Sequence, residues 1–307
     1  MKQYFSTIFK GIAMGAANVV PGVSGGTIAL ITGIFERLID AIKSFNLKAA
    51  RLLFSFKLKE FAEHTDLYFL IALFSGVLIA VVTLAKLFDF LFINYPVYIW
   101  SYFFGLVLAS VFFVGKTVSK WSWSVILTFI IGTAIAIVIS VLNPAKEDSG
   151  FLYLMLCGVV AICSMILPGL SGSFVLILMG NYQLVMIDAI NNRDLGILIP
   201  VGIGAVTGLI AFSHVLSWVF KKYRNQTISL LTGFILGSVS ILWPWQKAVY
   251  LTDAAGEVIV KKGKAVVEHY ERFLPASFNQ QVVFAIGFVI IGIITIWAVE
   301  KAAQKSE

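Results

Sequence analysis

Asn18-Val-Val-Pro-Gly-Val-Ser-Gly-Gly-Thr27 interrupts an apolar run that would otherwise continue as helix. Ser164-Met-Ile-Leu-Pro-Gly-Leu-Ser-Gly-Ser173 interrupts a second one, its Pro-Gly-x-Ser-Gly lying 147 positions further on. Proline removes a backbone donor and clashes with the preceding turn, and clustered glycines make further helix costly. The chain therefore breaks twice inside hydrophobic sequence. At membrane depth, broken backbone is tolerated only where protein or a water-filled cavity satisfies its polar groups. The pair is a binding-site candidate on that ground alone.

Composition sets the surroundings. Of 307 residues, 59% are hydrophobic and 13% charged, about half the charge of a soluble domain, which points to a polytopic membrane protein. The net charge of +7 belongs to short loops, and no basic folded domain suggests nucleic acid. Cys157 and Cys163 lie in apolar sequence six apart, which suits packing and not a disulfide framework or metal site. No cofactor or metal is expected. The N-terminal run lacks a small-residue cleavage site and reads as an uncleaved part of the fold.

The predicted architecture is all-α. Residues 4–36 form a re-entrant hairpin, because the arm after the first break is too short to cross a core of about 30 Å. Residues 37–65 alternate Arg37, Lys43, Lys48, Arg51, Lys57 and Lys59 with apolar residues, as an amphipathic helix in the interface would. Crossings follow at 67–92, 96–116 and 121–142, completing a first repeat over 1–142. After a polar linker at 143–150, the second repeat (151–307) holds a hairpin at 151–190 and crossings at 195–220, 226–243 and 279–299. The polar loop 244–278 alternates enough to suggest a small β-hairpin.

The halves match beyond the breaks. At a constant offset of 128, Gly76, Tyr95, Ser101, Gly105, Leu108, Ser110 and Val111 meet Gly204, Tyr223, Ser229, Gly233, Leu236, Ser238 and Val239. The basic segment accounts for the 19 residues by which the two offsets differ. With the N-terminus cytoplasmic, every lysine- or arginine-rich turn falls inside, including 116–120, 221–224 and the tail. Each half makes three net crossings, so the repeats are inverted and the hairpin tips should meet near the midplane. Inverted repeats with discontinuous helices form a transporter plan, with the substrate at the repeat interface.

Ser24, Gly25, Gly26 and Thr27 in the first break, and Ser171, Gly172 and Ser173 in the second, offer hydroxyls and free N–H groups for an anion. The alternative is that they only cap and pack the tips. Arg37 could meet a phosphate and Glu36 could pair with it or carry a proton, or the two could anchor the interface. Asp40 and Asp188 occupy similar places after the two hairpins, as caps or as relays. Lys86 and His214, aligned at the offset of 128, are ionisable residues inside crossings and candidates for gating or proton coupling. Asn18 could bond the freed backbone of the hairpin or the ligand. Gly-x-Ser-Gly also occurs in intramembrane serine proteases. That chemistry would need a histidine in reach, and only His214 could serve Ser171.

Residues 18–39, Asn-Val-Val-Pro-Gly-Val-Ser-Gly-Gly-Thr-Ile-Ala-Leu-Ile-Thr-Gly-Ile-Phe-Glu-Arg-Leu-Ile, resemble a bacterial family formerly a domain of unknown function. It is now described as polyprenyl-phosphate transporters, the PopT-like proteins. The resemblance extends over essentially the whole chain, including the second break and Trp243-Pro-Trp245. It implies a non-enzyme of the bacterial cytoplasmic membrane that returns undecaprenyl phosphate to the inner leaflet. There the carrier re-enters peptidoglycan and envelope-glycan synthesis. It also implies a headgroup near Ser24, Gly25, Gly26, Thr27, Glu36, Arg37, Ser171, Gly172 and Ser173. The 26 phenylalanines could line a groove for the isoprenoid. A transporter or channel for a small soluble anion is the competing reading, and homo-oligomerisation is left open.

Overall fold

The structure, a computed structural model, describes residues 2–19, 24–142, 144–250, 260–261, 264–265 and 267–304. The first break lies between α1 (Lys2–Val19) and α2 (Gly25–Ile31). Then come α3 (Phe35–Lys43), α4 (Leu47–Phe54), α5 (Leu58–His64), α6 (Leu67–Asn94), α7 (Pro96–Lys116) and α8 (Trp123–Val141). The second half runs through α9 (Phe151–Ile166), α10 (Gly172–Leu178), a π-helical segment Gln183–Ala189, α11 (Ile190–Asn192), α12 (Leu195–Lys222) and α13 (Arg224–Ser238). A short ribbon precedes α14 (Gln280–Gln304). Among the described residues, six stretches are long and apolar enough to cross a membrane, in α6, α7, α8, α12, α13 with its 3-10 extension, and α14. The chain is a multi-pass, predominantly helical membrane protein.

Four helix pairs carry the core: α1 with α6, α9 with α12, α7 with α14, and α8 with α13. Small residues let their backbones touch, as membrane helices require where no hydrophobic drive separates protein from lipid. Gly11 faces the Leu73 carbonyl, and Gly76 faces that of Ile8. In the second half Gly158 faces Val201 and Gly204 faces Met155, at the offsets of 147 and 128 from the first pair. Gly105 on Val289 and Gly292 on Tyr102 are matched by Gly233 on Phe129 and Gly132 on Leu230.

These contacts also give direction. Along α1 and α6, Gly11 lies opposite Leu73 and Gly76, and Gly15 opposite Val77 and Ala80, so the helices run parallel. An 18-residue helix rises about 27 Å, so the chain must come back by roughly that distance before α6 begins beside α1. The same holds for α9 and α12, where Met155 meets Gly204 and Val159 meets Gly208. The joints between long helices are short. Tyr95 alone links α6 to α7, at φ −136° and ψ 46°. Tyr223 links α12 to α13 at φ −134° and ψ 52°.

Two local features differ from the sequence reading. The arm after the second break, expected to run to residue 190, stops after seven residues in α10, as short as α2 after the first. Gly33 (φ 71°) ends one and Gly180 (φ 72°) the other. Gly33 N–H donates to Leu30 and Ile34 N–H to Ala29, while Gly180 donates to Ile177 and Asn181 to Leu176. That is the glycine-terminated helix end in which a left-handed residue lets two carbonyls be satisfied. Secondly, 37–65 is not one amphipathic helix. Asn46 opens α4 by accepting from Lys48 and Ala49 N–H, and Phe56 turns the chain at φ 56°. The small β-hairpin expected in the loop 244–278 is present as a short antiparallel ribbon. There β1 (Gln246–Tyr250) pairs antiparallel with β4 (Val267–Arg272), and β2 (Val260–Lys261) with β3 (Lys264–Ala265). Much of the expected hairpin run, 251–259 and 262–263, lies outside the described residues.

Candidate functional site

The two breaks touch. Ser24 caps α2, its Oγ accepting from Gly26 N–H at 3.2 Å and donating to the Leu167 carbonyl of the other break at 3.3 Å. A Cβ on Gly26 would stand 2.6 Å from the Ile166 carbonyl oxygen, so only glycine allows this approach. Pro21, Gly22 and Val23 lie outside the described residues.

Chemically the tips differ. In the first, Asn18 Oδ1 accepts from Gly25 N–H at 2.8 Å, Ser24 Oγ takes Gly26 N–H, and the Ser24 carbonyl takes Thr27 N–H at 3.0 Å. All three donors are used, and Ser24 and Thr27 are buried. In the second tip Met165 stands against Gly172 where Asn18 stands against Gly25, and a thioether accepts only weakly. Among the described residues no acceptor meets the N–H groups of Gly172 or Ser173. Ser171 Oγ lies 2.8 Å from Ser173 Oγ, and Ser173 is exposed. Among the described residues, the first break thus spends its donors, and the second keeps the Gly172 and Ser173 N–H groups without an acceptor beside two hydroxyls.

A second polar cluster surrounds α3. Arg37 holds Asp66 through two bonds, Nε–Oδ2 at 2.6 Å and Nη2–Oδ1 at 3.0 Å, and lies 4.2 Å over the Phe69 ring. That hydrogen bond raises the guanidinium pKa further, against partial desolvation. Glu36 accepts from Arg224 at 2.8 Å. Asp40 accepts from Ser217 Oγ at 2.7 Å and Lys221 at 3.1 Å, and Lys43 donates to the same serine at 3.2 Å. Phe35 and Phe220 pack behind, with ring centres 5.5 Å apart. A single nine-residue helix therefore binds the start of α6 through Asp66 and the end of α12 through Lys221. The N-terminal end of α6 and the C-terminal end of α12 thus meet at the same short helix.

Partial burial alone would raise the Asp40 carboxyl, but the Ser217 hydroxyl, Lys221 and Lys43 together hold it below the ordinary range. A depressed carboxylate stabilises the contact fully at neutral pH, and this is lost as pH falls through the folded-state value. After correction for intrinsic exchange, α3 amides should keep neutral-pH protection until the ordinary carboxylate range is passed, then lose it. Asp40→Asn should cost protection at neutral pH, by a few-fold at most because exposed pairs are worth ~0–1 kcal/mol. Equal α3 protection in the variant and wild type at neutral pH would contradict this account.

The remaining candidates sit apart. His214 Nδ1 lies 2.8 Å from the Ile210 carbonyl of its own helix. Asp188, in the π-helical segment, has the Gln183 amide at 3.5 Å. The Lys86 side chain lies outside the described residues. No hydrogen bond joins Ser171 to His214 among them, so the serine-protease geometry is absent. Asp66, Ser217, Lys221 and Arg224 were missed as site residues. Asp66 was legible as the one acid between the basic segment and a crossing, whereas the others read only as loop charge or an ordinary helix position.

The touching breaks and the ion-paired α3 sit in a chain whose family is one of membrane transporters, not enzymes. The undecaprenyl phosphate translocase-like family (VCA0040-like) matches residues 14–259, and the chain belongs to it. The polyprenyl-phosphate transporter of Vibrio cholerae serotype O1 is 38% identical over 304 residues, covering 99% of this chain and 98% of the relative. That of Staphylococcus aureus is 32% identical over 263 residues, covering 80% and 88%. No solved structure matches the chain significantly.

Proposed function

We propose that this chain carries a polyprenyl phosphate, undecaprenyl phosphate in the bacterial cytoplasmic membrane, from the outer to the inner leaflet for reuse in envelope-glycan synthesis. The two relatives' names and the family support the lipid carrier as substrate. The observation that carries the site is the second tip, where the Gly172 and Ser173 N–H groups meet no acceptor among the described residues and the Ser171 and Ser173 hydroxyls lie 2.8 Å apart, beside a first tip whose described donors are used. A phosphate inside hydrocarbon is very costly unless donors replace its water. Ser171, Gly172 and Ser173 take the headgroup, Asn18, Ser24, Gly25, Gly26 and Thr27 brace them, and Arg37 joins once it leaves Asp66.

The protein works as two inverted repeats, 1–142 and 151–307, each a re-entrant hairpin and three crossings. Matched glycine contacts, matched arm ends at Gly33 and Gly180, and the meeting of the α6 start with the α12 end at α3 support this plan. The lysine- and arginine-rich turns support a cytoplasmic side for both termini and for the α3 cluster. In this state Glu36–Arg224 and Asp40–Lys221 close the cytoplasmic end, and they part for the headgroup to leave inward. Lys86, Asp188 and His214 remain candidates for the coupling step.

Cells depleted of the protein, and lacking any redundant transporter, should accumulate undecaprenyl phosphate on the outer leaflet, read by leaflet-resolved detection. An unchanged leaflet ratio would end the proposal. Uptake of inorganic phosphate by proteoliposomes without lipid movement would assign the site to a soluble anion instead.

A further inference from the structure

We propose that the groove between α7 and α14 is a binding site for an anionic phospholipid of the cytoplasmic leaflet, distinct from the transport site. The two helices are held together by Gly105 on Val289 and Gly292 on Tyr102, and part beyond that contact. The gap, about 350 Å³, is lined by Leu108, Ala109 and Phe112 from α7 and by Ile293, Ile294 and Trp297 from α14. That volume lies in the range of real ligand sites. Its lining is wholly hydrocarbon and aromatic and includes no residue of either break, which suits a lipid chain.

What selects the lipid is the end of the groove. Lys116 Nζ lies 4.5 Å over Phe112 and Lys301 Nζ 4.8 Å over Trp297, so two ammonium groups stand at its mouth on rings that line it. Because α7 and α14 run parallel, both lysines reach the same side, the cytoplasmic one by loop charge. Cations over a hydrocarbon slot between membrane helices match an anionic phosphate headgroup above its own chain.

Comparison with the other half argues against a generic gap. In the matching pair α13 and α8, Gly237 presses on Ala136 and on the Thr133 carbonyl, so the equivalent slot is filled. Pro244 and Val141 stand where Lys116 and Lys301 would fall. One half has the slot and the charges together, and the other has neither. A site present in only one of two inverted halves serves only one leaflet. Phospholipid fits better than the transported lipid, because the groove opens on the outer face of the helix pair and none of its lining reaches the tips.

The test uses the full-length protein in detergent, titrated with phosphatidylglycerol or phosphatidylcholine, with bound lipid counted by native mass spectrometry. Wild type should retain phosphatidylglycerol over phosphatidylcholine by on the order of tenfold. Lys116→Gln with Lys301→Gln should erase that preference. Lys48→Gln with Arg51→Gln, a control pair on α4, should keep it. The proposal is overturned if the preference survives the groove variant, if the control loses it equally, or if wild type has none. Displacement of the phospholipid by polyprenyl phosphate would also overturn it, by making the groove part of the transport site. The result does not depend on whether the protein transports.

Discussion

Arg37→Ala is expected to lower lipid-phosphate transport by about tenfold or more, since a hydrogen bond to a charged group contributes ~1.5–3 kcal/mol. The protein should still reach the membrane folded. Asp66→Asn should behave in the opposite sense. It releases the guanidinium from its 2.6 Å partner without removing it, so headgroup affinity should rise modestly. The rise is small because the pair is more than a third exposed, and such pairs are worth ~0–1 kcal/mol. If Arg37 merely pinned α3 to α6, both variants would break the same bond and lose transport together. Equal losses in the two, measured as headgroup binding and transport in proteoliposomes, would remove Arg37 from the phosphate path. Rescue of Arg37→Ala by lysine should be incomplete, because a point charge cannot reproduce a planar two-pronged contact.

The second large effect belongs to Gly26. A methyl group there would lie 2.6 Å from the Ile166 carbonyl oxygen and 3.3 Å from Ser24 Oγ, so Gly26→Ala must move the tips apart or unseat the cap. Overpacking of this kind costs roughly 1–3 kcal/mol, and a shift at the headgroup site is expected to lower transport by about tenfold to a hundredfold. Gly169→Ala adds backbone strain to the same injury. Its φ is +81°, and its Cβ would press on Phe234 at 2.6 Å. Gly202→Ala is the control. Nothing lies within 4 Å of its Cβ, and alanine favours helix over glycine by ~1 kcal/mol, so stability should hold or rise and transport should not change. Thermal stability and transport measured together decide the matter. Equal behaviour of Gly26→Ala and Gly202→Ala would mean that tip contact is not needed.

Much of this fold was legible because membrane sequence speaks through length and punctuation. The six long helices were readable from apolar runs and charged turns, and Pro-Gly-x-Ser-Gly marked the breaks without ambiguity. Gly33 and Gly180 were less visible, since a lone glycine in an apolar run also suits helix packing, as Gly76 does. The basic segment looked continuous because periodicity cannot register that Asn46 prefers to cap or that Phe56 turns left-handed. The tips' unequal chemistry was hidden in the exchange of Asn18 for Met165, residues outside the shared motif. Sequence offered Arg37 as a phosphate ligand, but its present partner, Asp66, comes from 29 residues away and needed three dimensions.

The tight glycine contacts have a mechanical consequence. Where Gly76 seats on the Ile8 carbonyl and Gly204 on that of Met155, neither helix can slide by a fraction of a turn without driving a side chain into a backbone oxygen. Such pairs transmit force as stiff rods. Tyr95 and Tyr223 are the single-residue joints that lead from those rods into α7 and α13, with nearly the same pair of torsions. Any change of angle between neighbouring rods is then confined to the two dihedrals at each tyrosine, remote in sequence from both breaks.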